Sequence, residues 1–175
     1  GGVGLAAVEL GKVMGARVIA AASTDEKLAL CTRFGADETI NYSTEDLKKR
    51  IKALTGGKGA DVVYDPVGGP LAEAALRATG WGGRFLVVGF ASGDIPRFPL
   101  NLVLLKGCQV VGVFWGRFTT TAPQVNIKNN RKLLEWLAAG TLKPNIYARY
   151  PLQDAAKALD DIAARRVQGK VVLIP

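Results

Sequence analysis

Gly1-Gly2-Val3-Gly4-Leu5-Ala6-Ala7 opens the chain, and the choice it poses is between a plain glycine turn and a phosphate cradle. Missing side chains let a backbone approach a pyrophosphate closely. The N–H groups of the helical turn that follows, with the positive end of its dipole, then hold the anion. Residues Gly2-Val3-Gly4-Leu5-Ala6-Ala7 fit G-x-G-x-x-A. In a second register Gly1 and Gly4 are the second and third glycines and the first lies upstream of residue 1. The second register is preferred because it explains the doubled glycine. A turn of this kind follows a strand, yet neither a strand nor an initiator Met precedes it here, so the chain is read as a fragment cut inside a motif.

Working outward, strand-like and helix-like stretches alternate. Leu5 to Met14 has helical spacing, and Gly15 ends it. Arg17 to Ala22 is an apolar run of the kind a buried parallel strand needs. Ser23 and Glu26, three apart, read as a capping box for a helix reaching Phe34. A strand over Glu38 to Tyr42 follows, then a charged helix to Leu54 capped by Ser43 or Thr44. Strands are predicted over Asp61 to Asp65, Arg84 to Phe90, Gln109 to Trp115 and Lys170 to Ile174. Helices are predicted over Pro70 to Ala78, Pro99 to Lys106, within Ala122 to Ala139, and over Pro151 to Arg166. This alternation predicts an α/β fold, a doubly wound parallel sheet of Rossmann type that lacks its first strand. In such sheets ligands bind at the carboxyl ends of the strands.

Composition narrows the chemistry. The 175 residues are 49% hydrophobic and 22% charged, which suits a folded domain and excludes a disordered chain. There is no histidine, so neither a Ser-His or Cys-His nucleophile pair nor a His-ligated zinc site can be built from this chain. The only cysteines, Cys31 and Cys108, are too few for a Cys₄ site and read as reduced, buried residues, in keeping with a cytoplasmic location. No metal site is expected. No apolar run approaches the roughly 20 residues of a membrane helix.

The end of the second strand of such a fold selects the coenzyme. An NAD site places Asp or Glu there to accept from the ribose hydroxyls. Here the position falls at Ser23, whose hydroxyl leaves room for a 2′-phosphate and donates to it. Lys27, one helical turn on, supplies a point charge, and Tyr42 at the end of the next strand covers the same phosphate. NADP(H) is therefore preferred to NAD. Three readings stand against it: Ser23 could serve only as a helix cap, Lys27 could be only part of a solvated face, and the carboxylate of Asp25 could serve a ribose.

The motifs also follow a familiar order. Ala22-Ser23-Thr24-Asp25-Glu26-Lys27, Phe34-Gly35-Ala36-Asp37, Ile40-Asn41-Tyr42, Asp65-Pro66-Val67-Gly68-Gly69, Gly83 to Phe90 and Gly169-Lys170-Val171-Val172-Leu173 follow the opening glycines. Together they resemble the cofactor domain and C-terminal tail of the medium-chain dehydrogenases/reductases, specifically the zinc-independent NADPH:quinone oxidoreductases of the zeta-crystallin group. The resemblance spans essentially the whole chain. It implies an NADPH-dependent enzyme that reduces a small-molecule quinone or another activated alkene or carbonyl. By position, it implies that Gly1, Gly2, Val3 and Gly4 hold the pyrophosphate, and that Ser23, Lys27 and Tyr42 surround the 2′-phosphate. Gly69 then lies near the adenosine half, while Val88, Gly89, Phe90 and Ala91, with Val113, Phe114 and Trp115, flank the nicotinamide. Phe114 and Trp115 could instead be core or dimer-contact residues. The family's N-terminal catalytic domain is absent, so no catalytic acid or base is assigned. The division expected is a nucleotide-binding domain over 1–145 and a helix and strand over 146–175 that return to the absent domain. A homodimer through the edge strand at 109–115 is also implied.

The net charge of +8 raises one competing reading, a non-catalytic nucleotide-sensing or nucleic-acid-binding module. Lys48, Lys49, Arg50 and Lys52 cluster, but Leu47 and Ile51 are interleaved with them as on an ordinary amphipathic helix, and few aromatics are at hand for base stacking. Nucleic acid and membrane are therefore not expected partners.

Overall fold

The computed structural model describes residues 1–175. Helix α1 (Gly2–Val13) starts inside the glycine turn, three residues earlier than the spacing of its apolar residues predicts. It leads to β1 (Ile19–Ala22), α2 (Asp25–Arg33), β2 (Glu38–Asn41) and α3 (Leu47–Leu54). Then come β3 (Ala60–Asp65), α4 (Leu71–Ala78), β4 (Thr79–Val87), α5 (Leu100–Lys106) and β5 (Gln109–Gly112). The chain ends with α6 (Trp115–Thr121), α7 (Pro123–Ala138), β6 (Ile146–Pro151), a 3-10 turn at Leu152–Asp154, α8 (Ala155–Ala163) and β7 (Lys170–Ile174).

Several boundaries move for identifiable reasons. Thr24, not Ser23, is the extended residue before α2, and its side chain accepts from the Lys27 N–H. Helix α3 is capped by Asp46, whose Oδ1 accepts from Lys49 N at 2.9 Å, rather than by Ser43 or Thr44. Strand β4 begins at Thr79 rather than at Arg84, because Thr79-Gly80-Trp81-Gly82-Gly83 bulges and still pairs with β3. It ends at Val87, so Val88-Gly89-Phe90 leaves the sheet. Strand β5 stops at Gly112, and Trp115 begins a helix instead of ending a strand. Strand β6 was not expected; its Ile146-Tyr147-Ala148-Arg149-Tyr150 pairs in parallel with β7.

All the strand pairings are parallel: β1 with β2, β3 with β4, β4 with β5, and β6 with β7. The α/β class with parallel strands therefore stands. The first five strands form two sheets, of two and three strands, with the break between β1 and β3. In the 3-2-1-4-5-6 order of a doubly wound fold, that is the place of the first strand.

Both faces of the strands are covered. Successive side chains of a strand point to opposite faces. Ile19 packs on a cluster of ten buried residues that includes Ile40, Ile51, Leu76 and Phe85. Its neighbour Ala20 belongs to a separate cluster with Val8 of α1 and Ala36. The larger cluster draws Ile40 from one sheet and Phe85 from the other, so α3 and α4 bridge the break. Leu47 and Ile51 are buried in it, which leaves the lysines of α3 on the outer face of an amphipathic helix.

Candidate functional site

The parallel ladders bring the carboxyl ends of the strands of each sheet to a common edge. Ser23 follows β1, Tyr42 follows β2, Gly69 lies in the loop after β3, Val88 follows β4, and Val113 follows β5. The residues singled out after the glycine turn thus lie at strand ends or in the loops after them, except Lys27 in the first turn of α2 and Trp115 at the start of α6.

The glycine turn forms the amino end of α1. Gly1 is the cap, with no side chain to satisfy the free N–H groups. A Cβ built on Gly1 or on Gly4 would find no heavy atom within 4 Å. The fold therefore gives no reason for a glycine at position 4, where glycine weakens a helix by about 1 kcal/mol relative to alanine. The bare, open surface is the kind a phosphate approaches. Gly2 differs: its Cβ would stand 2.7 Å from the Gly169 carbonyl oxygen and 3.5 Å from Cδ of Lys170. The turn before β7 thus presses on the glycine turn, and the stem of Lys170 runs beside it. Val3 is half-exposed on the same turn.

Ser23, Lys27 and Tyr42 come together. Lys27 Nζ donates to Ser23 Oγ at 3.4 Å. Tyr42 N donates to the Ala22 carbonyl at 3.1 Å, which sets its backbone beside Ser23. Ser43 Oγ donates to the Ser23 carbonyl at 2.9 Å and ties the two strand ends. Because Thr24 caps α2, the Ser23 hydroxyl has no capping duty. Asp25, the carboxylate that could serve a ribose, instead accepts from Asn41 Nδ2 at 2.7 Å.

The loops after β3 and β4 are laced together. Asp65 Oδ1 accepts from Val67 N at 2.9 Å and Gly68 N at 3.0 Å. Ala91 N donates to the Pro66 carbonyl at 3.2 Å, and Gly69 N to the Asp94 carbonyl at 3.1 Å. Gly69 has a φ of +69°, and a Cβ there would stand 2.9 Å from Ser92 Oγ, so backbone conformation and packing both call for glycine. Val88, Gly89, Phe90 and Ala91 thus share one loop pair with Gly69. Beyond β5, Val113 N still donates to the Val87 carbonyl at 2.9 Å. Phe114 and Trp115 are 77% and 67% exposed, so they are not core residues. With Gly112, Val113, Arg117 and Phe118 they line an open groove of about 550 Å³.

The sequence reading missed Asn41, Ser43 and Lys170 as members of these arrangements. Asn41 and Ser43 flank Tyr42 at a strand end, a position that could have marked them. Lys170 lies far along the chain, and only folding brings it to Gly2.

No three His, Cys, Asp or Glu side chains gather in a way that could hold a metal ion. Burial pushes the Cys31 thiol up from its ordinary value, the direction of an unreactive thiol. No helix is long and apolar enough to cross a membrane.

Comparison with known proteins adds to this geometry. A family model described as zinc-binding dehydrogenase matches residues 2–137. A quinone oxidoreductase-like protein 2 homolog from Nematostella vectensis is 41% identical over 175 residues, covering 99% of this chain and 48% of the relative. The crystal structure of Escherichia coli quinone oxidoreductase complexed with NADPH superimposes with a TM-score of 0.88 at 34% identity, covering 100% of this chain and 54% of that one. That of an NAD-dependent alcohol dehydrogenase does so with a TM-score of 0.84 at 36% identity, covering 99% and 48%. The chain spans about half the length of the curated relatives it matches. The zinc of the family description does not fit here, because these residues include no histidine and no group of metal donors.

Proposed function

The chain belongs to the zinc-binding dehydrogenase family, in its zinc-independent, quinone oxidoreductase-like branch, and from that premise we propose that it is the cofactor-binding portion of an NADPH-dependent oxidoreductase. The substrate class proposed is a quinone or another activated alkene or carbonyl. One observation carries the reading: at the end of β1, where a NAD site places a carboxylate, Ser23 stands with Lys27 Nζ 3.4 Å from its hydroxyl.

In this reading Gly1, Gly2, Val3 and Gly4 hold the pyrophosphate, and Ser23, Lys27 and Tyr42 receive the 2′-phosphate. Gly69 lies beside the adenosine half. Val88 to Ala91 and Val113 to Trp115 flank the nicotinamide, offering backbone N–H groups and an apolar wall that keeps water from the hydride path. When bound, NADPH supplies the hydride; the chain's own residues bind and orient. Hydride transfer needs placement of donor and acceptor more than a resident base, and no catalytic acid or base is proposed here.

Residues 1–145 act as the nucleotide-binding domain, and 146–175 return toward a second domain that closes the other wall of the cleft. A homodimer forms through the outer edge of β5, where Gln109 and Val110 are exposed and no strand pairs. The proposed location is cytoplasmic.

The test is a fluorescence titration of the protein in its full natural length with NADPH and with NADH, followed by loss of NADPH absorbance on addition of a quinone. Tighter binding of NADPH and quinone-dependent oxidation are expected. Failure to bind either nucleotide would overturn the proposal.

A further inference from the structure

We propose that Asn41 is a positioning residue that determines coenzyme specificity, its carboxamide holding the Asp25 carboxylate away from the place between Ser23 and Lys27 where a 2′-phosphate binds. The inference rests on the NADPH reading above and deepens it. Asp25 follows Ser23 by two residues, at the first position of α2. A carboxylate at the end of this strand is the group that accepts from ribose hydroxyls and repels a 2′-phosphate. The chain therefore carries, beside its phosphate-binding pair, the group that favours the other coenzyme.

The geometry shows how the conflict is settled. Asn41 ends β2, opposite Ala22 in the ladder. Its Nδ2 donates to Asp25 Oδ1 at 2.7 Å, while its own Oδ1 accepts from Ser43 N at 3.1 Å. Donor and acceptor ends are both engaged, so the amide orientation is set by its partners on both sides. The backbone N of Asn41 donates to Glu45 Oε1 at 3.0 Å, which holds the residue at a third point. No Lys or Arg stands within ion-pair distance of Asp25, so the neutral amide of Asn41 is what directs its carboxylate. Ser43, oriented by the same amide, donates in turn to the Ser23 carbonyl at 2.9 Å. Asn41 thus acts on the phosphate pair from two sides: it turns a repelling charge aside and braces the residue that carries the attracting hydroxyl.

The experiment measures the dissociation constants of NADPH and NADH by fluorescence titration for wild type, Asn41→Leu and the double variant Asn41→Leu/Asp25→Ala, all at full natural length. The expected result is a drop of about three- to tenfold in the preference for NADPH in Asn41→Leu, arising from weaker NADPH binding. Removal of the freed carboxylate in the double variant is expected to restore the part of the preference lost to repulsion, while the part lost with the bracing through Ser43 stays lost. Equal weakening of both coenzymes in Asn41→Leu, or no recovery in the double variant, would assign Asn41 a merely structural role and overturn the inference. If Asn41→Leu does not fold, Asn41→Ser carries the same expectation. A wild type with no preference for NADPH overturns the underlying phosphate reading, and this inference with it.

Discussion

The carbonyl oxygen of Gly169 lies so close to Gly2 that a Cβ on Gly2 would stand only 2.7 Å away. The turn before the last strand is thereby pressed against the first turn of α1, and residues far apart in sequence meet at the proposed pyrophosphate site. Gly4, two residues on, faces nothing within 4 Å. Packing calls for a glycine at position 2, whereas at position 4 it leaves room for a side chain and the proposed pyrophosphate contact is the reason for glycine.

These two positions should separate under substitution. Gly2→Ala is expected to lower stability by about 1–3 kcal/mol through overpacking against backbone that cannot swing aside. Gly4→Ala should keep or raise stability, by up to about 1 kcal/mol from helix propensity, while weakening both coenzymes. Thermal melts and nucleotide titrations on the two variants check the pair; a stable Gly2→Ala protein would contradict the contact with Gly169.

Lys27 and Lys170 stand at different parts of the proposed coenzyme, so their loss should read differently. Lys27→Ala is expected to weaken NADPH about tenfold and leave NADH nearly unchanged, the effect of removing one point charge from the 2′-phosphate. Lys170→Ala should weaken both, because its stem runs beside the pyrophosphate turn. An unchanged NADPH preference in Lys27→Ala would refute the phosphate assignment.

Phe85 is 1% exposed and meets Phe98 edge-to-face, with ring centroids 5.1 Å apart at 80°. It sits in the cluster that joins the two sheets across their break. Phe85→Ala is expected to destabilise by about 3–5 kcal/mol, the range for a large buried aromatic whose cavity cannot collapse. Denaturant unfolding measures it, and a loss below about 1 kcal/mol would mean that the cluster does not join the sheets.

Asp37 should be one source of acid sensitivity. Its carboxylate accepts from Lys12 Nζ at 2.8 Å and from Val18 N at 2.7 Å, and these bonds hold it below the usual carboxylate range. A group whose folded value is depressed adds stability above its unfolded value, near pH 3.9, and that stability is lost as pH falls through the folded value. Stability measured from pH 5 downward should therefore fall, and Lys12→Met should flatten the fall. The same slope in both proteins would exclude this pair as the cause.

Much of the molecule was legible in the residue order. The apolar runs at β1 and β4, the glycine stops and the alternation of elements pointed to parallel strands wound by helices, and strand ends pointed to Ser23 and Tyr42. The misreadings share a cause. The residue order starts β4 at Arg84, yet the strand runs from Thr79 because bulged pairing with β3 and burial of Thr79 outweigh the local preference of glycines 80, 82 and 83. Strand β6 has a partner, β7, roughly twenty residues further on, and only that pairing makes it a strand.

What the sequence determined by itself is what local chemistry controls: where helices stop, which strands are apolar, the absence of histidine, and a hydroxyl where a carboxylate stands in NAD sites. Tertiary structure alone decided which side chains meet. Asn41 reaches Asp25, and Gly169 reaches Gly2, because parallel crossovers carry distant segments to one edge. The contacts that sort required glycines from permissive ones, and a free carboxylate from a held one, depend on chain closure in three dimensions and have no signature in residue spacing.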